Sequence, residues 1–240
     1  MKALLIAALF AALTPNRINT QDINVVSFNM NNSEENIEAV VEMILKETPL
    51  VAGIQECPAE GRSLKAKLPG YDCVCKGTGC IFYLKDAVSC GKVTKVGDKT
   101  IKASFTILDS KRCFDLFCTV IGKNDGTAPA EKILSETKEG VPTIVIGTIN
   151  ASPAGTFGKS RTNPNVVLRD KFVDACYASI STDSTPSYHK QGQGKGSMMD
   201  FIYYSPELSG MHFRVLKDEY AGVKYMSDHY AVRDIIRFKK

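Results

Sequence analysis

The sequence lacks a strong excess of charge of either sign. Thirty lysine and arginine residues oppose 26 aspartate and glutamate residues, which leaves a net charge of +4 over 240 residues. A charge this weak and this scattered does not by itself indicate a nucleic-acid or membrane partner. Internal repeats, low-complexity stretches and a linker rich in proline or serine are also lacking. The composition therefore predicts an ordinary globular chain with one domain over residues 20–240.

No apolar run is long enough to span a membrane as a helix. The longest run, Ala3 to Leu13, follows Lys2 and ends shortly before Pro15. It is shorter than the roughly 20 residues of a transmembrane helix but matches the apolar core of a secretory signal peptide. We expect a signal peptide over residues 1–19 and a secreted protein, with a buried first helix as the alternative. Because the chain also lacks heptads, we expect a monomer.

The cysteines lack the Cys-x-x-Cys spacing of a structural zinc site. They are Cys57, Cys73, Cys75, Cys80, Cys90, Cys113, Cys118 and Cys176. An even number of cysteines behind an export signal predicts disulfides, although the sequence does not determine their connectivity. Cys57, next to Glu56, is interpreted as a small buried thiol.

Strand-like apolar segments dominate the rest of the chain. Ile23 to Asn29 is the first, and Ser33 is predicted to cap a helix that runs from Ile37 and stops before Pro49. Further predicted strands are Leu50–Gln55, Tyr71–Cys75, Cys80–Leu84, Ile101–Leu108, Phe114–Ile121, Thr143–Ile149, Met199–Tyr204, Phe213–Leu216 and Ala231–Phe238. So many strands with few long helices predict an α/β layered sandwich of two mainly antiparallel β-sheets flanked by helices.

Polar side chains stand at the ends of these strands. They are Asn29, Glu56, Asn150, Asp200, Asp228 and His229. Each alone is typical of a strand end that satisfies local backbone groups. Together they supply the hard oxygen ligands that Mg²⁺ prefers, with an imidazole and an amide that can hold phosphate oxygens.

The order of these motifs resembles the endonuclease/exonuclease/phosphatase superfamily, which includes pancreatic deoxyribonuclease, abasic-site endonucleases, neutral sphingomyelinases and inositol polyphosphate phosphatases. The motifs are Ser27-Phe28-Asn29, Ile54-Gln55-Glu56, Gly70-Tyr71, Gly79-Cys80-Ile81-Phe82-Tyr83, Ile146-Gly147-Thr148-Ile149-Asn150-Ala151-Ser152-Pro153, Met199-Asp200-Phe201-Ile202-Tyr203 and Ser227-Asp228-His229-Tyr230-Ala231-Val232. The resemblance covers nearly the whole chain after residue 19. It implies a deoxyribonuclease-like sandwich and metal-assisted attack of water on a phosphoester.

The resemblance also implies a role for each residue. Glu56, with Asn29 and Asp228, corresponds to the site for Mg²⁺ or Mn²⁺. Asn150 corresponds to a ligand of the scissile phosphate and of the attacking water. His229 corresponds to the imidazole that contacts the phosphate, and Asp200 to the carboxylate that orients it.

Two positions depart from the family pattern. Thr148 stands where the Gly-Asp-x-Asn motif has the aspartate that activates water, and Val120 stands where a central histidine follows a threonine. Neither side chain can transfer a proton near pH 7, and one such group typically contributes about 10²–10⁴-fold. We therefore expect a pseudoenzyme that binds metal and phosphate. The alternatives are an active Mg²⁺-dependent nuclease or sphingomyelinase-like phosphodiesterase with a substitute base, and an interaction protein that uses only the outer surface.

His189 is the candidate substitute base, although a solvated loop histidine is the favoured interpretation. Asp125 reads as part of a turn, His212 as structural, and Gly192–Gly196 as a mobile loop. The phosphodiester ligand is predicted to belong either to a nucleic acid or to a lipid headgroup. Three basic residues are suggestive of nucleic acid without defining a patch: Arg161, Lys190 and Lys195.

Overall fold

The computed structural model describes residues 22–153 and 162–240. The predicted signal peptide and Arg161 lie outside the described residues. Among the residues that are described, no helix is both long enough and apolar enough to cross a membrane.

Two β-sheets pack face to face. With strands numbered in chain order, the first sheet contains β1 (Asp22–Asn29), β2 (Val51–Gln55), β3 (Tyr71–Lys76), β4 (Gly79–Leu84), β11 (Leu208–Gly210), β12 (Arg214–Leu216) and β13 (Ala231–Phe238). The second contains β5 (Val88–Lys95), β6 (Thr100–Ile107), β7 (Cys113–Ile121), β8 (Thr143–Ile149), β9 (Val173–Asp174) and β10 (Asp200–Tyr204). One core cluster takes apolar residues from both sheets. At Gly53 a Cβ atom would overlap the side chain of Ile146, so glycine permits the close approach of the sheets.

Both sheets are mixed, with one parallel pair each. The first sheet runs β11-β13-β1-β2-β4-β3, with β12 also on β13, and only β1 and β2 are parallel. The second runs β5-β6-β7-β8-β10-β9, and only β7 and β8 are parallel. The predicted layered sandwich of mainly antiparallel sheets is confirmed.

The helices lie outside the sandwich. They are α1 (Ile37–Glu47), α2 (Arg62–Lys67), α3 (Ala128–Glu136), α4 (Pro164–Leu168) and α5 (Ala175–Ala178), with short 3-10 turns at Pro58–Gly61 and Lys190–Gly192. Helix α1 buries Val40, Met43 and Ile44 against the outer face of β1 and β2. It stops where Thr48, in a left-handed conformation, donates its N–H to the Ile44 carbonyl before Pro49.

The predicted cap of α1 is wrong. Ser33 does not cap this helix, because its N–H closes a turn on the Met30 carbonyl and its Oγ accepts the N–H of Glu35. Asn36 is the residue that precedes α1, and its side chain makes no capping hydrogen bond. A capping residue recognised from spacing alone cannot be distinguished from one that is used in a preceding turn.

One disulfide is present among the described residues. Cys75 and Cys80 are cross-strand partners in β3 and β4, and their sulfurs are bonded. The other six cysteines are free thiols. Cys57 is buried, as predicted, and burial raises the pKa of its thiol to about 12.

Candidate functional site

The topology brings the strand-end polar residues to one end of the sandwich. The parallel pairs β1–β2 and β7–β8 end there, and the antiparallel strands β10 and β13 begin there. Asn29 at the end of β1 is in register with Gln55 at the end of β2, which places Glu56 beside it. Asp200 at the start of β10 is in register with Thr148 of β8.

Glu56 is held by amide groups. Its φ of 48° turns the chain sharply out of β2. Asn29 Nδ2 donates to one carboxylate oxygen of Glu56 at 3.1 Å, and Asn32 Nδ2 donates to the other at 3.4 Å. The Asn29 amide is itself oriented, because its Oδ1 accepts the N–H of Asn31 at 2.8 Å.

Thr148 occupies the centre of the site, where the family pattern has aspartate. Asn29 Nδ2 donates to Thr148 Oγ1 at 3.0 Å, and Thr148 Oγ1 donates to Asp200 Oδ1 at 2.7 Å. The residue before it, Gly147, has a φ of 149°, and a Cβ there would collide with the Thr119 carbonyl. A glycine is therefore required to bring Thr148 into this position.

Asp200 and His229 form a buried pair. His229 Nδ1 lies 2.7 Å from Asp200 Oδ2, and the Asp200 N–H donates to Ser187 Oγ. Burial opposes a charge on His229, but the Asp200 carboxylate, together with Asp228 and Glu56, raises the pKa of the imidazole. The other ring nitrogen, Nε2, lies 3.9 Å from Asp228 Oδ1. These carboxylates thus stabilise the protonated form of His229 relative to a free imidazole, which suits a contact with an anionic ligand.

These contacts form one continuous chain from Glu56 through Asn29, Thr148 and Asp200 to His229. The structure therefore brings together most of the site residues predicted from sequence, and it adds Thr148 as the residue that joins them.

Asn150 is held differently. Its backbone N–H and its Nδ2 both donate to the Ile121 carbonyl, at 2.8 and 3.3 Å. These bonds fix Asn150 at the end of β7, and within the described ranges its side chain makes no hydrogen bond to the chain of contacts above.

Val120, Thr148 and Asp200 are register partners on the neighbouring strands β7, β8 and β10. Val120 is in register with Thr148 across the parallel pair, and it shares the inward face of β7 with Cys118, whose sulfur contacts Gln55 of β2. An apolar side chain therefore stands at the position that corresponds to the central histidine.

The residues present can hold Mg²⁺ only as a site with few protein ligands. Within the described residues, no group of three or more histidine, cysteine, aspartate or glutamate side chains is arranged to hold a metal ion. Glu56 and Asp228 both act electrostatically on His229, and a pair of carboxylates suits an ion that retains several waters. Asn29 presents its nitrogen to Glu56, so it positions the carboxylate, and its Oδ1 accepts the N–H of Asn31 with one of its two lone pairs.

His189 is not a solvated loop residue, and that interpretation is wrong: its exposed fraction is 6 %. Its Nδ1 accepts the N–H of Gly192 at 3.2 Å, and its ring lies 4.0 Å from the ring of Tyr230. Burial lowers the pKa of His189. Tyr188 pairs with His229 in a short antiparallel bridge and their rings are 4.9 Å apart, so side-chain alternation places His189 on the opposite face of that bridge.

The other candidates take structural positions. Asp125 accepts the Gly122 N–H at 2.7 Å in a turn, as predicted, and the backbone of His212 donates to Asp234. Lys190 and Lys195 are exposed on the loop after His189. Sequence reasoning missed Ser187, whose hydroxyl accepts the N–H groups of Met199 and Asp200, because no motif marks it.

Comparison with known proteins places the fold. No protein-family model matches the sequence, and no curated protein matches it. An endonuclease/exonuclease/phosphatase from Bacteroides vulgatus superposes with a TM-score of 0.77 at 17% identity, over 91% of this chain and 99% of that one. The mannosyl-6-phosphatase Bt3783 of Bacteroides thetaiotaomicron gives 0.75 at 19% identity, over 90% and 100% of the two chains. D. rerio TDP2, complexed with a single-strand DNA product, gives 0.69 at 17% identity, over 90% and 99%.

The chain therefore has the fold of the endonuclease/exonuclease/phosphatase family. The resemblance of the sequence motifs is confirmed at the level of the fold.

Proposed function

We propose that this protein is a secreted, divergent member of the endonuclease/exonuclease/phosphatase family that binds a divalent cation and a phosphodiester group but hydrolyses it poorly. The observation that carries the proposal is the hydroxyl of Thr148, which accepts from Asn29 and donates to Asp200. A hydroxyl committed in this way orders the site without removing a proton from water.

The rest of the site supports binding. Glu56 is the carboxylate for Mg²⁺ or Mn²⁺, with Asp228 as a second ligand, and the cation would supply positive charge beside a bound phosphate. His229, held by Asp200 and with a raised pKa, would donate from Nε2 to a phosphate oxygen. Asn150 would contribute the second N–H of its amide, since the bond to the Ile121 carbonyl uses only one of the two. Binding without fast turnover is the outcome expected from this set of groups.

The phosphodiester is proposed to belong to a nucleic acid or to a lipid headgroup. The exposed Lys190 and Lys195 favour a ligand with further negative charge, and TDP2 shows the fold with a DNA product bound. A sphingomyelin-like headgroup offers the same phosphodiester with only one phosphate.

Metal binding is tested by thermal unfolding of residues 20–240 with millimolar Mg²⁺ or Mn²⁺. A ligand that binds only the folded state raises the melting temperature by mass action. We expect the wild type to shift and Glu56→Gln not to shift. Glu60→Gln, an exposed carboxylate in the following turn, is the matched control and should behave as the wild type. A wild-type melting curve that metal leaves unmoved contradicts the metal site.

An active phosphodiesterase is the second candidate, because His189 Nε2 is buried and has no hydrogen-bond partner among the described residues. Plasmid DNA, RNA, sphingomyelin and a generic phosphodiester should be assayed with metal and with chelator. We expect no turnover above the Glu56→Gln variant. Turnover that requires metal, Glu56 and His189 would instead establish His189 as a substitute base.

A further inference from the structure

A turn beside the candidate site carries a sequence that enzymes of the secretory pathway recognise. Asn31-Asn32-Ser33 has the form Asn-x-Ser with a residue other than proline in the middle, which is the acceptor pattern for N-linked oligosaccharide. Asn31 and Asn32 are both exposed.

The backbone presents Asn31 at the tip of this turn. The Ser33 N–H bonds to the Met30 carbonyl at 3.1 Å, and Asn31 and Asn32 have φ values of 51° and 53°. Two consecutive positive φ angles are typical of a type I′ turn, where asparagine is favoured. The turn accounts for the two asparagines, and the Ser33 hydroxyl lies outside the turn's own hydrogen bond and accepts the N–H of Glu35. Among the described residues, nothing hydrogen-bonds to the side-chain amide of Asn31.

We propose that Asn31 is a site of N-linked glycosylation, an inference that rests on the export included in the proposed function. The donor is a lipid-linked oligosaccharide diphosphate. Asn31 Nδ2 attacks C1 of the first sugar, so that a C1–N bond forms and the C1–O bond to the diphosphate breaks. The amide gives up one proton, and the lipid diphosphate is the leaving group.

A second Asn-x-Ser sequence in the chain serves as an internal contrast. Asn150-Ala151-Ser152 has the same form, but Asn150 Nδ2 is bonded to the Ile121 carbonyl, and Ser152 is followed by Pro153, which restricts its backbone. A sugar on Asn150 would replace one of the two protons of a nitrogen that is already hydrogen-bonded within the folded protein. The geometry therefore selects Asn31 and leaves Asn150 unmodified.

The position of Asn31 gives the modification a consequence for the site. The next residue, Asn32, donates its N–H to the Glu56 carbonyl at 3.0 Å and its Nδ2 to the Glu56 carboxylate. An oligosaccharide on Asn31 therefore begins one residue from the contact that holds the proposed metal ligand.

The test is expression of the full chain in cultured eukaryotic cells, once with its own N-terminus and once behind a heterologous signal sequence of proven activity. Secreted protein is treated with a peptide N-glycosidase, which converts a glycosylated asparagine to aspartate, and is then analysed by peptide mass spectrometry. We expect the enzyme to reduce the mass and to leave aspartate at position 31. Asn150→Gln should leave the mass loss unchanged.

The variants at Ser33 keep the test independent of folding. Because Asn31 has a positive φ, Asn31→Gln strains the turn, whereas Ser33→Ala removes the acceptor pattern and leaves Asn31 in place. Ser33→Ala should abolish the modification, and Ser33→Thr should retain it. The proposal is overturned if the secreted wild type shows no mass loss. It is also overturned if Asn150→Gln abolishes the mass loss. If modified protein is obtained only with the heterologous signal sequence, the proposed export by residues 1–19 is wrong, while the proposed glycosylation of Asn31 is supported.

Discussion

Thr148 Oγ1 donates a hydrogen bond to Asp200 Oδ1 at 2.7 Å. The two residues are register partners in neighbouring strands, and both side chains are buried. The neutral hydroxyl lies between the Asp200 carboxylate and the Asn29 amide. It donates a hydrogen bond to the carboxylate and accepts one from the amide. The residue that departs from the family pattern is therefore a structural member of the site, which gives its substitution two distinguishable effects, on stability and on catalysis.

Removal of the Thr148 hydroxyl should destabilise the protein. Thr148→Val retains the shape of the side chain but leaves a buried carboxylate oxygen of Asp200 without its donor. Hydrogen bonds to charged groups contribute about 1.5–3 kcal/mol, so we expect a loss of that size in the free energy of unfolding, measured by urea denaturation. Thr148→Ser keeps the hydroxyl and should lose less. Equal losses for the two variants would show that the hydroxyl is not what stabilises this site.

Restoring the missing groups should restore chemistry. The double variant Thr148→Asp/Val120→His places a carboxylate and an imidazole at the two positions that are in register with Asp200. We expect hydrolysis of a phosphodiester to rise by at least about 10²-fold over the wild type, since one positioned acid or base contributes about that much. The same double variant with Glu56→Gln is the control and should be inactive. If the double variant stays inert while folded, the loss of these two groups does not explain poor turnover.

The sequence predicts the layers of this fold better than its edges. The strands of the central pairs are buried and rich in β-branched residues, so their positions can be recognised in the sequence. β5 was not predicted, because it is an edge strand of which half the residues are exposed and whose register shifts between Cys90 and Val93. Asn29, Glu56 and Asp200 were recognised because they follow or precede those central strands.

The directions of the His189 and Thr148 side chains could not be predicted from the sequence. His189 lies one residue from Tyr188, and only the pairing of Tyr188 with His229 decides which face each side chain takes. The bridging role of Thr148 likewise depends on Asn29, 119 residues away in the chain. The contact between Thr148 and Asn29 is set by the packing of the two sheets, which no local pattern encodes.

A buried ion pair on the outer face of the second sheet should be sensitive to loss of one partner. Lys102 Nζ lies 2.8 Å from Asp115 Oδ2 and donates to the Glu136 carbonyl at the end of α3, and both side chains are about nine-tenths buried. Lys102→Met leaves the Asp115 carboxylate buried and unpaired, so we expect a loss of about 3–5 kcal/mol in urea unfolding.

Two further variants separate pairing from packing at this site. Lys102→Met/Asp115→Leu removes both charges and should recover most of the loss. Lys46→Met breaks the exposed pair with Asp218 and should cost no more than about 1 kcal/mol. If the double variant is as unstable as Lys102→Met, Lys102 stabilises the protein through its other contacts, such as the bond to the Glu136 carbonyl, and not by neutralising Asp115.

Asp234 should make the protein more stable in mild acid than at neutral pH. Its buried carboxylate accepts hydrogen bonds from Ser179 Oγ and the His212 N–H, and burial raises its pKa from 3.8 to about 6. Between about pH 4 and pH 6 the Asp234 carboxyl therefore binds more protons in the folded state than in the unfolded state. The contribution of Asp234 to the free energy of unfolding then falls as the pH rises through this window, by up to about 3 kcal/mol.

Asp234→Asn removes that contribution while keeping a hydrogen-bonding side chain of the same size. Urea denaturation at several pH values should give a variant whose stability falls less than that of the wild type between about pH 4 and pH 6. Asp174, whose pKa burial also raises to about 6, and His229 contribute slopes of the same sign to both proteins, so the difference between them isolates Asp234. Asp218→Asn, at an exposed position, should follow the wild type. Parallel profiles for wild type and Asp234→Asn would show that Asp234 does not gain protons on folding.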